Sequence, residues 1–361
     1  MICSRLLTED GKVKFPKKKI LFCFGTRPEV IKISPLIKKS LNYFDVCSVV
    51  TGQHNTLFRD VEDLLPKVDY HIEIPVKRTL NFLFSKLFIE LEQIFLKEKP
   101  DLVIALADTA SAYCAAICAF NMQIPVAHVE AGLRTYNVNS PFPEEFYRQA
   151  ISRMSVLNWC PNENNAQNLI KEQTPGKIII TGNTTIDLIY QHLPQLEVED
   201  TNQVLITLHR RENKDYFEKI LKQIRHFAEA HPELKFIFPA HPNPSIQKVL
   251  NVVKYSNIEI VSPLKYLDFL KLMAKSKFII TDSGGIQEEV VCLKKKTLVC
   301  RDTTERQEAI DVGVCKLVGS NLTDSFEWAL SPVNHEVENP FGDGHACDRI
   351  IESMERYFDG R

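Results

Sequence analysis

A chain of 361 residues is long for one hydrophobic core and natural for two α/β domains, and its 44% hydrophobic and 25% charged residues suit an ordinary soluble globular protein. A formal net charge of -2, with no basic run interleaved with aromatics, gives no nucleic-acid surface. No stretch reaches the length of a membrane span, and the opening MICSRLLTEDGK is too short in apolar residues for a signal peptide, so a cytoplasmic protein with no membrane association is expected.

The cluster Lys17, Lys18 and Lys19 precedes the first strand and reads as a solvated tail. That strand, KILFCFG, runs into FGTRPEVIK, which lacks the G-x-G-x-x-G on which a dinucleotide pyrophosphate lies, so NAD chemistry is not expected. Arg27 at the strand end and Lys32 on the following helix offer cationic contacts to a diphosphate, surface solvation being the plainer reading of Lys32. VCSVVTG leads to Gln53 and His54, and YHIEIPV is the next strand. DLVIALAD ends in Asp108, and VAHVEA carries His128 and ends in Glu130. Glu144 and Glu145 open the helix of PFPEEFYRQ, where a first turn welcomes acids. LNWCPN and KIIITGN complete the first series, and the polar stretch 193–203 reads as a linker.

The second series is VLITLHR, LKFIFPAH, IEIVSP, FIITDS, TLVCRD and CKLVG. It brings His209, Arg210 and Arg211 to one strand end, His241 between prolines to another, and Arg301 and Asp302 to a third. TDSGGIQEE joins a strand to a helix through two glycines. Helix-start amides at Ser283, Gly284 and Gly285 favour a phosphate there, although Gly-Gly also serves simply to turn tightly.

Apolar runs alternating with helical patterns predict two doubly wound α/β domains of Rossmann type, about residues 18–190 and 203–343, with a cleft between their strand ends. Residues 344–361 form a last helix. The ten cysteines lack a CxxC pair, so disulfides and metal binding are not expected; Cys23, Cys114, Cys118, Cys292 and Cys300 read as reduced core residues. Asp108, Glu130 and Glu144 are the sharper clue, because carboxylates beside a phosphate seat repel the ligand. Proton transfer explains them better, with burial and like-charge neighbours raising their pKa values.

Taken in order, FGTRPEVIKISPL, TGQH, HVEAGLRT, SPFPEE, TGNTTID, HRREN, TDSGGIQEE, RDTTER and NPFGDG resemble the non-hydrolysing UDP-N-acetylglucosamine 2-epimerase family from about Ile20 to the final helix. The resemblance implies a GT-B-like fold, with the C-terminal helix crossing back to the first domain. It implies inversion of carbon 2 of a UDP-2-acetamido sugar with no cofactor, by elimination of UDP to a 2-acetamidoglucal and re-addition. It assigns catalytic roles to Asp108, Glu130, Glu144 and His209, and substrate contacts to Arg27, Lys32, Arg134, Arg148, Ser283, Gly284, Gly285, Glu289 and Arg301.

Gln53, His54 and His241 become candidates for a second, regulatory nucleotide-sugar site. A homodimer, a UDP-sugar as partner and a place in polysaccharide biosynthesis are implied as well. Ala107 stands where the family usually has glycine, Tyr147 where asparagine is common and Gln307 where proline is usual. A glycosyltransferase, a hydrolysing epimerase and a non-catalytic nucleotide-sugar sensor are the competing readings; the joint presence of Asp108, Glu130 and Glu144 weighs against the first.

Overall fold

The computed structural model describes residues 6–7, 13–14, 17–52, 60–75, 79–199, 201–209, 215–240, 244–334, 336 and 338–360. They form two compact units, one of residues 1–184 with 345–361 and one of residues 185–344.

In chain order the first unit comprises a small antiparallel hairpin β1 (Leu6–Leu7) and β2 (Val13–Lys14), then β3 (Lys19–Phe24), α1 (Arg27–Ser40), β4 (Asp45–Val50), β5 (Tyr70–His71), α2 (Leu80–Glu98), β6 (Leu102–Leu106), α3 (Ala110–Asn121), β7 (Val126–Val129), α4 (Glu144–Met154), β8 (Leu157–Cys160), α5 (Glu163–Lys171) and β9 (Lys177–Ile180). Its main sheet is parallel throughout, in the order β5-β4-β3-β6-β7-β8-β9. The strands β3 and β6 are buried almost end to end because helices cover both faces, and this is why they read as unbroken apolar runs. Among the described residues of YHIEIPV the strand is Tyr70–His71; the Ile72 amide makes a last bond to the Val50 carbonyl at 2.8 Å, where β4 ends, and Ile72 and Ile74 are buried.

α6 (Thr184–His192) starts at the division between the units. The second unit continues with β10 (Gln203–Thr207), α7 (Phe217–Ala230), β11 (Lys235–Pro239), α8 (Pro244–Val249), β12 (Ile258–Val261), α9 (Tyr266–Lys275), β13 (Ser276–Thr281), α10 (Gly284–Leu293), β14 (Thr297–Val299), α11 (Gln307–Asp311), β15 (Cys315–Leu317) and α12 (Phe326–Leu330). Its sheet is also parallel, in the order β12-β11-β10-β13-β14-β15. Residues 193–203 are held to this unit: the Glu199 and Thr201 amides donate to the Ala274 and Lys275 carbonyls, and Lys295 Nζ donates to the Glu199 carbonyl at 2.8 Å.

The last helix, α13 (Ala346–Phe358), packs on α1 in the first unit, where Trp159 Nε1 donates to Ser353 Oγ at 2.7 Å and Lys39 pairs with Asp348. One face of the first sheet is filled from Leu21, Val103 and Ala105 against Leu87, Leu91 and Phe95 of α2 and the small residues of α3. The matching layer of the second unit sets Val204, Ile206, Phe236 and Phe278 against Ile220, Leu221 and Ile224 of α7. Cys23, Cys114, Cys118 and Cys300 lie buried as free thiols, and burial pushes the Cys118 thiol up to about 11, far from reactive thiolate.

Both sheets reverse their strand order once, between β3 and β6 and between β10 and β13. At such a reversal the two following helices leave on opposite faces, and the carboxyl ends of the strands are left open to a ligand.

Candidate functional site

In the first unit the reversal is spanned by a single carboxylate. Glu29 is 1% exposed; its Oε2 accepts the amides of Gly25 and Thr26 at 3.0 and 2.8 Å, and its Oε1 accepts the Thr109 hydroxyl at 2.6 Å. Thr26 caps α1 in a reciprocal capping box with Glu29, and Thr109 caps α3. Glu29 thus fixes two strand ends at once, the one that presents Arg27 and the one that presents Asp108. Burial foremost raises its carboxyl to about 6 against the hydrogen bonds it accepts.

The three acids stand on successive elements of the same unit. Asp108 accepts from Arg148 Nη2 of α4, and Glu130 pairs with Lys32 of α1 while also accepting from Asn183 Nδ2 at 3.2 Å. Glu144 opens α4, one turn before Arg148, and is half-buried. Where like-charge neighbours were expected, Asp108 and Glu130 each face a cation. Glu130 has a backbone φ of +63°, a left-handed conformation that a glutamate adopts only where its surroundings enforce it. Arg148 is 7% exposed, and its Nε is buried with no hydrogen-bond partner among the described residues, so the guanidinium retains a donor to give.

Arg134 is differently placed from a substrate contact. Its Nε and Nη2 grip Glu172 at 2.8 and 3.0 Å, its Nη1 donates to the Leu133 carbonyl at 2.8 Å, and its side chain is fully buried. Those donors are spent on tying the loop after β7 to the end of α5. Glu145, also fully buried, accepts the amides of Thr135 and Tyr136 at 3.0 Å each and anchors the same loop from α4. Tyr147 faces the core, stacked on Tyr113 at 4.7 Å and edge-on to Phe84 at 5.8 Å, so its departure from the family pattern is a packing change.

In the second unit the reversal is spanned by His209 and Asp282. Asp282 is fully buried, accepts the His209 amide at 3.0 and 3.1 Å, and lies 3.3 Å from His209 Nδ1. An Nδ1–H pointed at that carboxylate fixes the orientation of the ring. Next along the chain, α10 starts with no side-chain cap on its first amides. The Ser283 amide is an exception to the open set expected from the sequence, since it donates to Thr281 Oγ1 at 3.0 Å; Gly284 and Gly285 carry the uncapped start. The start of α1 has its own carboxylate, Glu29, on the Gly25 and Thr26 amides, and α10 has no side-chain cap. A methyl group placed on Gly285 meets no atom of the other described residues within 4 Å beyond its own helix turn, so packing among them does not require the glycine.

Glu289 is 6% exposed and accepts from Tyr266 Oη at 3.2 Å. The RDTTER loop is bound to α10 by Thr304 to Gln287 at 2.7 Å and by Arg306 to the buried Glu288 at 2.9 Å. Arg301 is engaged by Glu305 at 3.0 and 3.3 Å. Burial pushes the Glu305 carboxyl up, but the Arg301 hydrogen bond and the charges of Arg306 and Arg301 outweigh it and hold it at about 2. Arg301 therefore braces the loop. Gln307 occupies the first turn of α11, where proline is favoured for its fixed φ, and instead donates to Asp311 at 3.0 Å.

Gln53, His54, Arg210, Arg211 and His241 lie outside the described residues. Among the described residues no group of three or more His, Cys, Asp and Glu side chains is placed to hold a metal ion. Sequence reading missed Glu29, Asn183, Glu145 and Gln287 as members of the site's scaffold. GTRPE, TGNTTID, PFPEE and GGIQEE contained them, and the only signal was a polar residue inside an otherwise informative motif.

Residues 38–355 match the protein family described as UDP-N-acetylglucosamine 2-epimerase. A UDP-N-acetylglucosamine 2-epimerase of Campylobacter jejuni is 38% identical over 93% of this chain and 97% of its own. Among solved structures, UDP-GlcNAc 2-epimerase from Neisseria meningitidis bound to UDP-GlcNAc superposes with a TM-score of 0.86 at 36% identity, covering 94% of this chain and 100% of the other. UDP-GlcNAc 2-epimerase from Methanocaldococcus jannaschii, in complex with UDP-GlcNAc and UDP, gives 0.80 at 34% identity over 94% and 99%. The paired α/β sheets are those of the GT-B-like epimerases.

Proposed function

The chain belongs to the UDP-N-acetylglucosamine 2-epimerase family, and we propose that it inverts carbon 2 of UDP-N-acetylglucosamine to give UDP-N-acetylmannosamine. A hydrogen on that carbon has no neighbouring carbonyl to acidify it, so direct deprotonation is prohibitive. Breaking the bond from carbon 1 to the UDP oxygen makes an oxocarbenium-like centre, and the hydrogen beside it becomes removable. A carboxylate takes that proton and leaves a 2-acetamidoglucal and UDP. A second acid delivers a proton to the opposite face of carbon 2, and the UDP oxygen bonds again to carbon 1. Neither electrons nor a redox partner are exchanged.

Asp108, Glu130 and Glu144 are assigned the base and acid duties. Lys32, Arg27 and Arg148 meet the negative charge that develops on UDP, His209 contacts the diphosphate, and the start of α10 at Gly284 and Gly285 seats it. Ser283 stands beside that seat, and Glu289 takes the ribose hydroxyls. The observation that carries this reading is Glu130: a buried carboxylate with left-handed backbone, held at the end of β7 by Lys32 and Asn183. Such a group is costly for a fold to keep and is suited to a proton transfer.

A homodimer accompanies the proposal. Ile89 and Leu96, spaced on one face of α2 and 55% and 60% exposed, are the apolar surface that supports it, and sedimentation equilibrium at a mass twice that of the chain is the expected result. A cytoplasmic location and a role in supplying sugar for polysaccharide synthesis belong to the same reading. Incubation with UDP-N-acetylglucosamine, followed by proton NMR, tests the reaction: the manno epimer is expected without an acceptor sugar, and free N-acetylmannosamine or no change overturns it.

A further inference from the structure

Behind the acids lies a fully buried imidazole that the proposed reaction does not use. His128 is on β7, two residues before Glu130, and is 0% exposed. Its Nε2 is 2.8 Å from the Ala107 carbonyl, which can only accept, so Nε2 carries the proton. Nδ1 then accepts the single hydroxyl proton of Ser152 at 2.9 Å in place of the Arg148 carbonyl, which lies 3.0 Å from the same oxygen one turn back on α4. Burial above all lowers the imidazole's pKa to about 3, so it stays neutral.

Ala107 has a φ of +56°, in the left-handed region that side-chain-bearing residues avoid. It is tied to β7 by both of its backbone polar groups, through its amide to the Val129 carbonyl at 2.9 Å and through its carbonyl to His128. The next residue is Asp108, paired with Arg148. The connection runs from Asp108 to Arg148, along the helix α4 to Ser152, and through His128 and Ala107 back to Asp108.

We propose that His128 is a positioning residue: it holds the left-handed turn at Ala107 and, through Ser152, the helix of Arg148, and so aims Asp108. The proposal rests on the epimerase reading for its kinetic readout. A phenylalanine at 128 keeps a ring and removes both polar contacts, freeing Ala107 to relax toward an ordinary conformation that turns Asp108 away. A glycine at 107 has no such preference to relax.

The test compares four proteins: wild type, His128→Phe, Ala107→Gly and the double variant. His128→Phe is expected to lower kcat about tenfold, the scale of the left-handed penalty, with KM changed by no more than about twofold. Ala107→Gly alone keeps kcat, and in the double variant the loss shrinks to about threefold or less. His128→Gln, whose amide still donates toward the Ala107 carbonyl, retains most of kcat without help from glycine. An equal loss in both backgrounds, or a loss carried by KM, overturns the proposal and leaves His128 as packing.

If His128→Phe does not fold, Ser152→Ala in both backgrounds makes the same comparison, because it frees the imidazole to turn. Urea unfolding of the same set keeps the two readings apart. Failure of the wild type to epimerise sinks the proposed reaction, while the midpoint of unfolding still shows whether glycine at 107 offsets the loss of His128. No offset there overturns the positioning role as well.

Discussion

Gly285→Ala separates a glycine kept for a ligand from one kept for the fold. An added methyl meets nothing within 4 Å among the described residues beyond its own helix turn, and the residue lies in the first turn of α10, so the protein without ligand should lose nothing and gain up to about 1 kcal/mol from reduced backbone freedom. A phosphate approaching the Gly284 and Gly285 amides needs the space that the methyl takes. Two hydrogen bonds to a charged group, at about 1.5 kcal/mol each, come to about 3 kcal/mol, or roughly a hundredfold in affinity. With UDP at a hundred times the wild-type Kd, the ligand stabilises the wild type by about 2.7 kcal/mol and the variant, at the same concentration, by about 0.4 kcal/mol. Thermal unfolding with and without UDP reads the difference as a shift of about 5 to 10 °C that nearly vanishes. Equal UDP shifts in the two proteins would refute the assignment of the diphosphate to this helix start.

Glu130→Gln and Glu144→Gln keep shape and remove proton exchange, so each should slow turnover by about a hundredfold or more while the UDP-induced thermal shift persists; near-normal rates in both would place the acid and base elsewhere. Asp282→Asn replaces the acceptor that holds the His209 amide and Nδ1, and should lower kcat about tenfold, with His209→Ala costing about 2.7 to 4 kcal/mol in the transition state; a full-rate Asp282→Asn would mean that His209 needs no orienting. Glu29 has a folded pKa raised from 4.5 to about 6, so its contribution to stability is complete below about 4.5 and is lost as pH rises through 6. Relative to Glu29→Gln, the wild type should therefore lose about 2 kcal/mol between pH 4.5 and 7 in urea titrations; a difference that is flat with pH would contradict the burial argument.

The strands were legible because both faces of each central strand are covered: β3, β6, β10 and β13 print as apolar runs, and their carboxyl ends point straight to Arg27, Asp108, His209 and Ser283. The acids were legible for the same reason, standing directly after those runs or at a helix start. The scaffold between them was not. Glu29 finds Thr109 across 80 residues, Glu130 finds Asn183 across 53 and Arg134 finds Glu172 across 38, and no local pattern announces such pairs. For Arg134 and Arg301 the sequence supplied a cation in a binding motif but not the carboxylate that engages it. The backbone at Ala107 was illegible too, since alanine at a left-handed position looks like any other alanine until its φ is known. Ser283 was read as an open amide because the Thr281 hydroxyl that takes it depends on the bend of the turn.

Epimerisation in deuterium oxide tests the central claim most directly. If a carboxylate among Asp108, Glu130 and Glu144 removes the hydrogen from carbon 2 and exchanges with solvent, UDP-N-acetylmannosamine formed in deuterium oxide should carry deuterium at carbon 2. Prolonged incubation should also release traces of UDP and 2-acetamidoglucal. Product formed at a normal rate with only protium at carbon 2, read by NMR, would contradict elimination and re-addition through a solvent-exchanging acid and base.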